Sequence, residues 1–261
     1  MAEETKAATE LLKKAKRDRD PSLAQKASEL SKEAADQHTE AECYTTLAEM
    51  RFSANSYTES TKWHSLALEL YRSLSLKTQE AQCLFQLSRC AAFTSNPSKL
   101  NAEIEYLRAS LAIAEEIANY ELQVRCSVNL GACLRGPAPE EAREFYKKAL
   151  AALEHMERGW LSGICQQSLG HLYARDSDEL KARKYYLAAI EDFELARESE
   201  PINTDLRQAQ CLESIGDIAL KEGDEDEALD RYQSALLKFD CHRLSGAHRV
   251  REKIAALNID Q

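Results

Sequence analysis

Apolar residues recur three and four positions apart along almost the whole chain, which is the spacing of one helix face. The clearest stretch, residues 211–235, reads CLESIGDIALKEGDEDEALDRYQSA. An apolar-then-small pair, Ile215-Gly216, stands inside its first helical segment. Ala228, Tyr232 and Ala235 follow Gly216 by twelve, sixteen and nineteen residues. Four earlier stretches carry the same arrangement. Leu169-Gly170, Ala182, Tyr186 and Ala189 keep identical offsets; Leu130-Gly131, Ala142, Tyr146 and Ala149 have a turn shorter by one. Leu87-Ser88, Ala102, Tyr106 and Ala109 have a turn longer by two, and Leu47-Ala48, Ser60, His64 and Ala67 form the first copy. The small residue lets two helices cross closely, and the aromatic and small residues of the second helix fill the groove so made.

The pattern predicts helical pairs over 38–74, 78–117, 120–156, 159–198 and 205–240. In the first pair Tyr44, Leu47 and Met50, with Trp63, Leu66, Ala67 and Leu70, are expected to face inward. Residues 1–37 give an N-terminal helical pair or degenerate repeat, broken at Asp20-Pro21-Ser22, since Pro suits a first helical turn. A capping helix is expected within 241–261, with Val250, Ile254 and Leu257 inward and His248, Arg249, Arg251 and Lys253 outward. Terminal units of such arrays are atypical because one side meets water.

Five copies at consistent offsets of an apolar-small pair, then Ala, then Tyr, then a small residue, with Ser60 and His64 in place of Ala and Tyr in the first, resemble the tetratricopeptide repeat superfamily. The resemblance spans roughly residues 40–240 and implies an all-α fold, a right-handed superhelix of helical hairpins. The small positions 48, 88, 131, 170 and 216 lie 40, 43, 39 and 46 residues apart, against about 34 in the consensus. The longer steps are similar to the arrays of kinesin light chains and cell-polarity adaptors. The CLESIGDIAL wording is also similar to arrays that trail regulatory ATPases, although no ATPase segment stands in these residues.

Composition adds little that contradicts this. Gly (8) and Pro (5) are too few for a loop-rich β protein, and the net charge of −10 argues against general nucleic-acid binding, which needs a basic face. Of eight Cys, five (Cys43, Cys83, Cys126, Cys165, Cys211) stand five residues before the small residue of their repeat, and Cys90 and Cys133 follow two helical turns after Cys83 and Cys126. One Cys per repeat is the placement of a small buried apolar residue, not of a metal ligand. Reduced thiols point to the cytosol or nucleus, and the chain is read as cytoplasmic. The start, MAEETKAATE, lacks the apolar core of a signal peptide, and no apolar run is long enough to span a membrane.

No phosphate loop, paired-His helix motif or nucleophile elbow is present, and the six His are scattered, so neither an enzyme nor a cofactor is expected. Trp63 and His64 are read as packing residues. Function must then lie on a surface. In arrays of this kind the resemblance places the first helix of each repeat on the concave side. The positions six and two before the small residue, and one after it, should be exposed there: Glu42, Thr46, Glu49; Gln82, Gln86, Arg89; Arg125, Asn129, Ala132; Ile164, Ser168, His171; Gln210, Ser214, Asp217. The candidate partner-binding residues are Gln82, Gln86, Arg89, Arg125, Asn129, Ser168, His171, Gln210 and Ser214. Amides can both donate to and accept from a peptide backbone, and Arg89 and Arg125 can fork onto a carboxylate. The expected partner is a protein, through a peptide or helical segment carrying an acid; nucleic acid and membrane are not expected. Asn129 matches the groove Asn of peptide-binding members of the superfamily. Thr45, Glu49 and Ser168 stand where the chaperone-binding subgroup needs basic or amide groups, so a heat-shock chaperone tail is excluded. The alternative is a structural subunit held by its convex face or ends. The turn at Asn96 is a further candidate contact.

Overall fold

The computed structural model describes residues 2–94, 99–156, 159–198, 201–242 and 245–259. The Asn96 turn lies outside them. Among the described residues there are thirteen helices and no strand. They form two compact units, Met1–Cys133 and Leu134–Gln261.

The first unit is built from α1 (Ala2–Asp18), α2 (Pro21–Glu33), α3 (Gln37–Ser53), α4 (Tyr57–Ser73), α5 (Lys77–Ala92), α6 (Lys99–Glu116) and α7 (Tyr120–Leu134), whose last residue belongs to the second unit. From α1 to α6 each helix packs on the next in sequence. Its core joins Tyr44, Leu47, Leu68, Tyr71, Leu84 and Leu87 around the small residues Ala41, Ala67 and Cys83. Leu66 is 40% exposed, so Leu68, with Leu70 as expected, supplies the inward leucines of α4.

The second unit contains α8 (Pro139–Leu153), α9 (Trp160–Arg175), α10 (Glu179–Leu195), α11 (Pro201–Glu222), α12 (Glu225–Cys241) and α13 (Gly246–Ile259), again packed in chain order. Helix α11 starts four residues ahead of the expected 205 because Pro201 opens it.

The small-then-aromatic motif has a direct physical reading here. A Cβ added to Gly170 would lie 2.7 Å from the Tyr186 ring, and one added to Gly216 would lie 2.6 Å from the Tyr232 ring. Each ring therefore rests on bare backbone. A buried Tyr also needs a partner for its hydroxyl. Tyr232 Oη donates to Asp217 Oδ1 (2.7 Å), and Tyr186 Oη lies 2.8 Å from His171 Nδ1, both partners standing one residue after the glycine. The five repeat cysteines are 0–2% exposed and every Cys is unpaired, as small apolar filling requires.

Among the described residues seven turns share one geometry. Arg19, Ala35, Asn55, Ser75, Ala118, Ser177 and Gly223 each have positive φ. The next residue sends its N–H back five residues, as in Asp36 to Ser31 O (2.8 Å) and Asp224 to Ala219 O (2.9 Å). That is the 6→1 bond of a Schellman ending. The same next residue caps the following helix in five of the seven: Asp20, Asp36, Asn119, Asp178 and Asp224 each accept an N–H of the first turn. One residue thus ends one helix and begins another.

Candidate functional site

In the first unit, α3, α4, α5 and α7 enclose a hollow of about 270 Å³. Gln82 and Gln86 of α5 and Arg125 of α7, three residues expected on the groove, line it. Glu49 of α3 and His64 of α4 line it too, as does Gln79, which the sequence reading missed. Gln79 stands seven residues before Gln86, two turns along the same face, so extending the row by one step would have found it.

Arg125, at the hollow, and Arg89, which does not line it, are both held in place. The Arg125 guanidinium lies 4.4 Å over the Phe85 ring and 3.6 Å from Glu121. Arg89 lies 4.4 Å over the Phe52 ring and donates to Gln86 Oε1 at 2.9 Å. Asn129 is exposed, and its amide donates to Arg125 O one turn back, at 2.7 Å. Gln82 is exposed and Glu49 lies at the edge of the hollow. Partial desolvation of the Glu49 carboxyl raises it above the usual carboxylate range, and Lys16 offsets part of that. His64 is 1% exposed, and its Nδ1 has no hydrogen-bond partner. Burial, with the charge of Arg89, pushes its imidazole down to about 4.

Two expected positions are corrected. Thr46 is 4% exposed and Ser168 9% exposed, so neither offers a free surface. Thr46 turns its hydroxyl onto Glu42 O (2.8 Å), on a helix beside which α1 packs. Next to Ser168 in α9, the buried Gln167 ties that helix to α11, donating to Gln210 Oε1 (3.3 Å) and accepting from Arg207 (3.1 Å).

In the second unit the row is largely satisfied internally. Gln210 takes the bond from Gln167, and Ser214 Oγ donates to Gln210 O at 3.0 Å. His171 is engaged by Tyr186 and borders a shallow hollow with Arg135 and Arg175; the surrounding protein and the charges of Arg135 and Arg207 push its imidazole below its ordinary value. Asp217 accepts from Tyr232 and from Lys253 of α13 (2.5 Å). Arg249 is exposed as expected and Lys253 is half-buried, but neither is free. Arg249 grips the buried Glu213 through both carboxylate oxygens (2.7 and 2.6 Å), and Lys253 reaches the same carboxylate at 2.9 Å. Burial pushes the Glu213 carboxyl up, but its bonds to Arg249 and Lys253 leave it below the usual range.

Among the described residues no three His, Cys, Asp or Glu side chains cluster as metal ligands, and no helix is long and apolar enough to cross a membrane.

No family model and no curated protein matches the chain. Solved structures do. The chain is similar to BtubC from P. vanneervenii at 17% identity and a TM-score of 0.66, over 93% of this chain and 90% of that one. It is similar to the apo form of the quorum sensor NprR from B. thuringiensis at 12% identity and a TM-score of 0.58, over 92% of this chain and 65% of that one. A signal transduction ATPase with a tetratricopeptide repeat sensor from Pyrococcus horikoshii aligns at 15% identity and a TM-score of 0.61, over 96% of this chain and 41% of that one. The fold is the tetratricopeptide-type helical repeat.

Proposed function

We propose that the chain is a non-catalytic interaction protein that holds a segment of a protein partner on the first helices of its repeats, at the hollow of the first unit. One observation carries this reading. At that hollow three polar groups stand without a hydrogen-bond partner, while the corresponding row residues of the second unit are bonded to neighbouring side chains and backbone. Gln82, Glu49 and His64 Nδ1 make no hydrogen bond among the described residues, whereas Gln210, Ser214, His171 and Asp217 all do. Unmatched polar groups around a concave space are what a peptide backbone and its side chains satisfy. Arg125 and Arg89, steadied on Phe85 and Phe52, are placed to receive an acidic residue of the segment. The tetratricopeptide-type fold supports the reading by analogy alone. Eight unpaired cysteines, six of them buried, fit a cytoplasmic setting.

The test is affinity capture from cytosol with the wild-type chain beside an Arg89→Glu, Arg125→Glu, Asn129→Ala variant. Circular dichroism establishes first that both are folded. A partner that binds the wild type and is lost from the variant is the expected result. A partner held equally by both would contradict it and favour a structural subunit bound through another face.

A further inference from the structure

The repeat pattern singles out one position as different in kind. Sixteen residues after the small residue, the fourth and fifth repeats place Tyr186 and Tyr232, whose hydroxyls reach the residue just after the small one, His171 and Asp217. In the first repeat these two places belong to His64 and Glu49. The small residue there is Ala48, which carries the Cβ that Gly170 and Gly216 lack, and at those glycines a Cβ would meet the Tyr ring. An imidazole is shorter than a phenol. The Tyr-to-next-residue bond found in the later repeats is therefore not made. His64 Nδ1 is left buried and unpartnered, Glu49 has no ion pair or hydrogen bond among the described residues, and the hollow of about 270 Å³ adjoins both.

What the hollow needs is decided by the groups not yet given a role. Arg125 and Arg89, steadied on Phe85 and Phe52, are assigned to the acid of the segment in the reading above. Of the groups left over, the Glu49 carboxylate only accepts, and the neutral His64 ring presents a lone pair at whichever nitrogen lacks the proton. They call for a charged donor. Gln79 and Gln82 can accept further N–H groups at the wall.

We propose that this hollow is a specificity pocket for one basic side chain, Arg or Lys, of the bound segment, with its cationic head between Glu49 and His64. The proposal rests on the groove reading above and sharpens it: the segment carries a base for this pocket beside the acid that Arg89 and Arg125 receive.

The experiment follows the ring nitrogens of His64 by NMR in the full chain at neutral pH, with the exposed His248 as internal reference. The probes are N-acetyl-Gly-Arg-Gly-amide, its citrulline counterpart, which is a neutral isostere of Arg, and argininamide. The expected result is a saturable His64 shift with the Arg peptide and an apparent affinity at least ten-fold weaker with citrulline. The same weakening is expected for the Arg peptide on Glu49→Gln, a change at an exposed position that leaves the core intact. An unmoved His64, or equal response to Arg and citrulline, would overturn the pocket. Argininamide binding as tightly as the peptide would overturn a peptide as its occupant and leave a free cation. The two readings fail separately. A silent His64 with partner capture still lost from the Arg89, Arg125, Asn129 variant sinks the pocket alone. A responsive His64 with capture unchanged in that variant sinks the groove alone.

Discussion

His64 shows how far single residues could be read from the sequence. Its departure from the Tyr of the later repeats is plain in the aligned offsets, and so is the Ala at position 48. What the offsets cannot show is the space a shorter ring leaves, so the residue reads as simple packing until the hollow beside it is seen. Ser168 and Thr46 fail in the opposite direction: helical spacing puts them on a polar row, and neighbouring helices cover them. The state of His64 can be tested through stability. Its pKa is near 6.5 in the unfolded chain and about 4 in the fold. Above pH 6.5 the ring is neutral in both states and contributes no pH dependence. As pH falls from 6.5 to 4 the unfolded chain takes up a proton that the fold refuses, and stability drops by about 3 kcal/mol from this group. Below pH 4 the loss levels off. Urea unfolding of the wild type and His64→Gln across this range should therefore show a smaller decline for the variant; parallel declines would mean that His64 is not held neutral.

The helices themselves were legible because their core faces repeat at helical spacing, and their pairing follows from the small-residue and Tyr positions. The turns were less so. Six of the seven positive-φ residues are not glycine, so the usual marker of a helix ending is missing at Arg19, Ala35, Asn55, Ser75, Ala118 and Ser177. The inward face of α13 was also legible in part, through the buried Val250 and Leu257, and so was its polar side, but not the ion pairs that side makes. A helix taken alone shows Arg249 and Lys253 on a polar face; it cannot show that α11 brings the 5% exposed Glu213 against them. This arrangement makes α13 depend on one carboxylate. Glu213→Gln removes the charge that both cations share and should cost about 2 kcal/mol, the usual scale for hydrogen bonds to charged groups. Hydrogen exchange should quicken in α13 while α9 keeps its protection. Unchanged protection in α13 would mean that the apolar contacts of Val250 and Leu257 hold the helix without the ion pairs.

For the whole molecule, the five-fold pattern announced an all-helical repeat protein, and the chain has that fold. It did not announce the division into Met1–Cys133 and Leu134–Gln261, which falls inside the third repeat pattern. Local offsets report the shape of each hairpin and carry no information on which helices contact one another most. Nor did they distinguish the halves of the polar row, since Gln82 and Gln210 look alike in sequence, yet one is unmatched and the other is bonded to Gln167. The central claim is that a partner segment lies over the first helices of the first unit. A photo-reactive benzoylphenylalanine tests it most directly, placed in turn at Gln82, exposed on α5 beside the hollow, and at Lys62, exposed on α4. The account predicts that a cytosolic partner cross-links from position 82 and not from position 62. Cross-linking from position 62 with none from position 82 would contradict it.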